Sequence, residues 1–172
     1  MSTRGLVGFV HKGEVRTTYH SSDSYLARLG QGLVDFCDLV IDWNDFIKHY
    51  EQISWDEHAS QELEGVKLLQ AIAKGNITTL CDEIEFADDD IFCEYAYLLN
   101  LDTKELELYS SNYQTELDQS EKHLPLNLLA TYPLDDIPEN WIDEINIQKR
   151  EINHDWREFY NDQGIEPDGI EL

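Results

Sequence analysis

Positive charge is scarce in this chain. Twelve Lys and Arg stand against thirty-six Asp and Glu in 172 residues, a formal net charge of −24 at neutral pH. A field of that sign repels DNA, RNA and anionic membranes at physiological salt, so neither direct nucleic-acid binding nor a membrane partner is expected. Cysteine is scarce as well. Cys37, Cys81 and Cys93 are odd in number and far apart, and no pair has C-x-x-C spacing. That excludes a zinc knuckle and a dithiol redox motif. Their apolar neighbours Phe36, Leu80 and Phe92 point to buried thiols in a reducing compartment. No apolar run approaches the roughly 20 residues that span a bilayer. Gly, Lys and Glu interrupt the first residues too soon for a signal-like apolar core. A soluble, cytoplasmic protein is expected. Internal repeats and low-complexity linkers are missing, and Gly30-Gln31-Gly32 lacks the strand-to-helix context and following Lys of a phosphate loop.

What the chain does hold is enough to fold. Hydrophobic residues make up 41% and aromatics 11%, too much for a disordered acidic tail. The length suits one domain over 1–172, able to bury roughly 70% of its unfolded surface, with residues 162–172 expected to fray. Leu6–Val10 and Val15–Tyr19 are β-prone runs joined by His11-Lys12-Gly13-Glu14, where Gly13 supplies a positive φ. Ser22-Asp23-Ser24 forms an N-cap cluster before apolar positions at Leu26, Leu29, Leu33, Phe36 and Val40, an amphipathic helix with a break near Gly30. Asp42 caps a short helix carrying Phe46, Ile47 and Tyr50. Ser54-Trp55-Asp56-Glu57 has capping-box form, and the helix behind it, through Leu63, Val66, Leu69 and Ile72, ends at Gly75. Residues 76–86 are expected to add a helical turn or two.

From Ile91 the pattern alternates. Ile91, Cys93, Tyr95, Tyr97, Leu99 and Leu101 point one way, and Phe92, Glu94, Ala96, Leu98 and Asn100 the other. Asp102-Thr103-Lys104 turns the chain into a returning strand with Leu106 and Leu108. Leu126–Tyr132 suits a fifth strand. Helix returns after Pro138, with Trp141, Ile142 and Ile145, then Trp156, Phe159 and Tyr160. The order of elements predicts an α+β fold. Its mainly antiparallel sheet is built from two hairpins, about 5–20 and 91–110, with helices packed on it.

Two kinds of function compete. A chain that lost Met1 would expose Ser2, whose α-amine titrates at about 8 and can act as base for its own hydroxyl, the economy of N-terminal-nucleophile amidohydrolases. Ser2 and Thr3 are the candidate nucleophiles, and the strand–turn–strand that follows resembles the opening of those enzymes. Ser2 and Thr3 also begin many ordinary proteins. "YHSSDSY" gathers His20, Asp23 and Ser24, but triad members meet in space rather than as sequence neighbours, and caps at a strand-to-helix junction explain them better. A pocket joining His20, Asp23 and Arg4 would favour catalysis. His58 and Glu62, four apart, are the best local pair for a metal; a solvated face explains them as well, and neither a metal nor another cofactor is expected.

The other reading follows the charge. "CDEIEFADDD" places Asp82, Glu83, Glu85, Asp88, Asp89 and Asp90 within nine residues, without the alternation and central Gly of a calcium loop. Asp135 and Asp136 open an acidic C-terminal stretch. Carboxylates held on a rigid face can imitate a phosphate backbone and occupy the groove of a basic, nucleic-acid-binding protein, as small acidic inhibitors and nuclease-immunity proteins do. A non-enzymatic acidic binding module with a basic protein partner is the leading expectation. Solubility alone is the bland one.

"STRGLVGF", "YHSSDSY" followed by "LG", and "FCEYAYLLNLDTKELELY" together resemble a family of small, uncharacterised proteins from bacterial and phage genomes. The resemblance covers about a third of the chain. It implies a shared hairpin core and no particular activity. As candidate site residues it points to Thr3, Arg4, His20, Asp23, Ser24 and Tyr25, with Glu94 and Tyr95 beside them. The cationic start is expected to lie against the acidic body, with Arg4, Arg16 and Arg28 neutralising carboxylates.

Overall fold

The computed structural model describes residues 3–40, 42–89 and 92–152. Ser2, Asp90, Ile91, the expected helical positions Trp156, Phe159 and Tyr160, and the tail 162–172 lie outside the described residues. The chain opens with β1 (Arg4–His11) and β2 (Glu14–His20) and passes through a π-helical turn at Leu26–Gly30. Next come α1 (Gln31–Leu39), α2 (Trp43–Glu51), β3 (Ser54–Trp55), α3 (Gly65–Ala73), β4 (Thr79–Leu80) and a 3-10 turn at Ile84–Asp88. The second half contains β5 (Cys93–Asn100), β6 (Glu105–Ser110), β7 (Tyr113–Gln114), β8 (Asn127–Pro133), α4 (Trp141–Gln148) and β9 (Arg150–Glu151).

Both expected hairpins form and share one five-stranded sheet, ordered β2-β1-β5-β6-β8. Lys12 and Gly13 both have positive φ, 51° and 76°, the geometry of a two-residue hairpin turn that matches strand twist. The hairpins meet through a parallel β1–β5 pairing; every other pairing in this sheet is antiparallel. The α+β class with a mainly antiparallel sheet follows.

One face of the sheet carries Val7, Phe9, Tyr97, Leu99, Leu106 and Leu108 into the main core. The helices close that face. Leu33 of α1, Phe46 of α2, Leu68, Leu69 and Ile72 of α3 and Trp141 of α4 are almost wholly buried against it. Each such side chain stabilises the fold by on the order of 2 kcal/mol relative to exposure. Asp42 caps α2 as expected, accepting from the Asn44 N–H at 2.9 Å. The opposite face holds a smaller core of Leu6, Val10, Leu98 and Tyr109, covered by Ala87 and by Leu124 and Leu126 of the loop before β8.

Four local expectations change. The Ser22-Asp23-Ser24 cluster caps nothing: the turn at Leu26–Gly30 starts from Tyr25 without a side-chain cap bond. Ser54-Trp55 is not a capping box: it forms β3, paired in parallel with β4, with Ser54 N–H bonded to the Thr78 carbonyl at 2.8 Å and Asp56 N–H to Leu80 at 2.9 Å. Trp55 packs on Phe9 and Tyr50, which sets the chain direction more strongly than a polar cap, and α3 starts only at Gly65. The 76–86 segment contributes β4 before its turn. The alternation of β5 also breaks at its start. Arg4 aligns with Cys93 but Gly5 with Tyr95, so an irregularity at Glu94 moves Cys93 to the smaller core while Tyr95, Tyr97 and Leu99 face the helices.

Candidate functional site

On β6 the leucines and the glutamates alternate. With Leu106 and Leu108 in the helical core, Glu105 and Glu107 must face the other side. There Glu107 lies beside Leu98 of β5 and Thr131 of β8, and Glu105 beside Asn100 and Pro133. β6 is flanked on both edges, and Glu107 is only 4% exposed. A buried carboxylate needs partners. His123 Nδ1 lies 2.6 Å and 3.0 Å from its two oxygens, and the Tyr109 hydroxyl donates to it at 3.1 Å. That hydroxyl also accepts the His123 N–H at 2.9 Å. Burial, with smaller effects from its hydrogen bonds and from Glu107, holds the Tyr109 phenol above its ordinary value, so it remains a donor.

The loop that carries His123 is tied down along its length. Gln119 acts as a strand partner for Leu128, accepting its N–H at 2.7 Å and donating to its carbonyl at 2.9 Å, and Thr115 donates to the Leu129 carbonyl. Between loop and sheet lies a cleft of about 590 Å³. Its acidic lining is Asp102, Glu105, Glu107, Asp118 and Glu121, with Val10 and Leu128 as apolar contacts and no Lys or Arg among the described lining residues. Burial opposes ionisation of Asp102, but hydrogen bonds from the Gly13 and Lys12 N–H groups, at 3.0 Å and 2.7 Å, outweigh it and hold its carboxyl below the usual range. Asp118 is held low by the Ser120 N–H at 2.9 Å. Charge of one sign in a concave, walled site suits an ammonium or guanidinium group. Among the described residues, no group of three or more His, Cys, Asp or Glu is placed to hold a metal ion. His58 is exposed beside Glu57, and the 56–64 stretch is not helical, so the four-residue spacing to Glu62 aligns nothing.

The acids selected from sequence lie elsewhere and serve different ends. Asp82 straps the 3-10 turn to β2: it accepts from Thr17 N–H at 3.0 Å and Ile84 N–H at 3.2 Å, and pairs with Arg16 at 3.3 Å. Glu83 accepts from the Cys81 thiol, and Asp89 accepts the Phe92 N–H at 3.1 Å. Glu85, Asp88, Asp135 and Asp136 are exposed. The 3-10 turn packs on β2 and β5, whereas Asp135 and Asp136 follow β8 at the far edge, so the two acidic runs do not adjoin. Glu105, Glu107, Asp118 and Glu121 escaped the sequence reading, although Glu at alternate positions of a strand that must pair on both sides was the available signal.

The amino-terminal candidates are divided by the sheet. Gly5 pairs with His20 and Leu6 with Tyr19, so His20 projects from the helical face while Arg4, in phase with Leu6, projects from the other and stacks on Phe92 at 5.7 Å. Thr3 is 3% exposed, and its carbonyl accepts the Ser24 N–H at 3.1 Å. Ser24 is fully buried and its carbonyl takes the Tyr97 hydroxyl at 2.7 Å. Tyr25 is 40% exposed, and Tyr95 is buried, its phenol pushed up to about 12 by that burial. Burial also raises the Glu94 carboxyl. His20 and Asp23 do share a cavity, of about 540 Å³, with Arg28 rather than Arg4. Of the three arginines expected to neutralise carboxylates, Arg16 does so, pairing with Glu14 and Asp82, whereas Arg4 and Arg28 make no ion pair with a described residue; Lys12, not among those expected, reaches Glu51 at 3.2 Å.

No family model, curated protein or solved structure matches this chain. Among the described residues, no helix is long and apolar enough to cross a membrane.

Proposed function

We propose that this chain is a non-enzymatic acidic binding module that engages a basic protein partner, of the type that blocks a nucleic-acid-binding surface as an inhibitor or immunity protein. The observation that supports it is the cleft over β6, where five carboxylates line one concave site without a lysine or arginine among the described lining residues. The loop wall is pinned to β8 by side-chain bonds, so the acidic groups are held before any partner arrives. A lysine or arginine from the partner would enter the cleft, and the exposed acids Glu85, Asp88, Asp135 and Asp136 would speed encounter from a distance.

The test is a titration of an arginine-rich peptide against the folded chain over a salt series. The reading requires saturable binding that weakens steeply as salt rises, because the Debye length shrinks from about 10 Å at 0.1 M to about 3 Å at 1 M. Equal affinity at low and high salt would end it.

A further inference from the structure

The cavity at the end of β2 lies on the helical face of the sheet, away from the acidic cleft, and its lining is different in kind. Leu29, Leu63 and Val66 give it an apolar floor. Arg28 from the π-helical turn and Lys67 from α3 come from separate elements to the same rim. Both are exposed, and neither makes an ion pair with a described residue, in a chain with three acids for every base. Asp23 and Glu62 stand on the same rim and are likewise exposed.

The imidazole between these groups is held in one orientation. Gly65 has φ +58°, and a Cβ there would lie 2.9 Å from His20 Cε1, so the start of α3 closes directly on the ring. Glu64 Oε2 takes both the N–H and the hydroxyl of Ser21, at 3.0 Å and 2.9 Å, and lies 3.7 Å from His20 Nδ1. Nδ1 is sealed from solvent. A proton on Nδ1, facing Glu64, leaves Nε2 as an acceptor. Burial lowers the pKa of His20 against the raising effects of Glu64, the Ser22 backbone and Asp23, which keeps the ring neutral at pH 7.

We propose that this cavity binds a small zwitterion with an apolar body, an apolar amino acid or a di- or tripeptide. Arg28 and Lys67 take its carboxylate, and Asp23, Glu62 and His20 Nε2 take its ammonium group. The apolar side chain rests on Leu29, Leu63 and Val66. A cationic ligand would meet Arg28 and Lys67, and an anionic one Asp23 and Glu62, so only a molecule bearing both charges satisfies both halves of the rim. The site shares no residue with the β6 cleft and does not depend on the function proposed for it.

The experiment is an amide chemical-shift titration of the full chain with leucine and with alanyl-leucine, against isovalerate and isopentylamine as single-charge analogues. Saturable shifts at His20, Leu29 and Leu63, with both analogues weaker by about tenfold, are expected. Leucine alone saturating the site selects the free amino acid; alanyl-leucine binding more tightly selects the peptide. The paired variants R28A/K67A and D23N/E62Q alter only exposed side chains, so a dispersed spectrum should persist while affinity falls about tenfold in each. No saturable shift at millimolar ligand, an analogue as tight as the zwitterion, or unchanged affinity in both paired variants would overturn the proposal.

Discussion

Replacing His123 with Ala tests whether the floor of the acidic cleft is built as described. In the parent chain the Glu107 carboxylate, 4% exposed, is served by His123 Nδ1 at 2.6 Å and by the Tyr109 hydroxyl at 3.1 Å. H123A leaves Tyr109 as its one side-chain donor. Losing a charge-assisted hydrogen bond at such a site costs about 2–3 kcal/mol, and the lower end applies because the His123 side chain is itself 30% exposed and admits water. With a urea m-value of about 2 kcal/mol/M for a domain of this size, the unfolding midpoint should fall by roughly 1 M. The double variant E107L/H123L removes the buried charge together with its partner, and places a leucine beside Leu98 of β5. It should unfold within about 1 kcal/mol of the parent, the remaining loss being the Tyr109 hydroxyl proton left without an acceptor while its oxygen keeps the residue 123 N–H. Urea melts at pH 7, followed by near-ultraviolet circular dichroism, measure both. An H123A midpoint indistinguishable from the parent, or a double variant as unstable as the two single changes summed, would refute the reasoning.

Gly65→Ala should cost about 1–2 kcal/mol, since it places a side chain at φ +58° and drives its Cβ towards the His20 ring; a thermal melt gives the loss, and the His20 ring resonances should shift with it. Stability should also decline on mild acidification. His20 is held below its ordinary 6.5, so the unfolded chain binds the proton first, and the contribution present above 6.5 drains away as pH falls towards the folded value. Asp102 and Asp118, held below their ordinary 3.8, add a second decline, present above that value and lost as pH falls through their folded ones. A flat urea midpoint between pH 7 and pH 5 would contradict the first of these, and a decline that persists undiminished in a His20→Gln variant would assign it elsewhere.

The elements most readable from the sequence were those fixed by local pattern. Period-two alternation marks β1, β2, β5 and β6, Asp42 marks the start of α2, and Gly75, with φ +74°, marks the end of α3. What was not readable depends on contacts distant in the chain. The parallel β1–β5 pairing carries no local signature, and the irregularity at Glu94 that flips Cys93 arises only when the two strands meet. Ser54-Trp55 has the letters of a capping box, but the packing of Trp55 on Phe9 and Tyr50 makes it a strand. The acids show the same division. A dense run such as Asp82–Asp90 attracts notice, yet Asp82 is spent on the Thr17 and Ile84 amides, while the carboxylates that share a cleft come from the β5–β6 turn, from β6 and from the loop before β8. Residue spacing cannot reveal that convergence without the sheet order.

The central claim is that the β6 cleft, and not acidity in general, receives a cationic partner. Two triple variants separate these. E105Q/D118N/E121Q removes three of the five cleft carboxylates and E85Q/D88N/D135N three of the four outer acids, each taking the formal charge from −24 to −21. Titrated with the same arginine-rich peptide at low salt, the cleft variant should lose about tenfold or more in affinity and the outer variant no more than about twofold. Equal losses in the two would contradict the account, because net charge alone would then explain the binding.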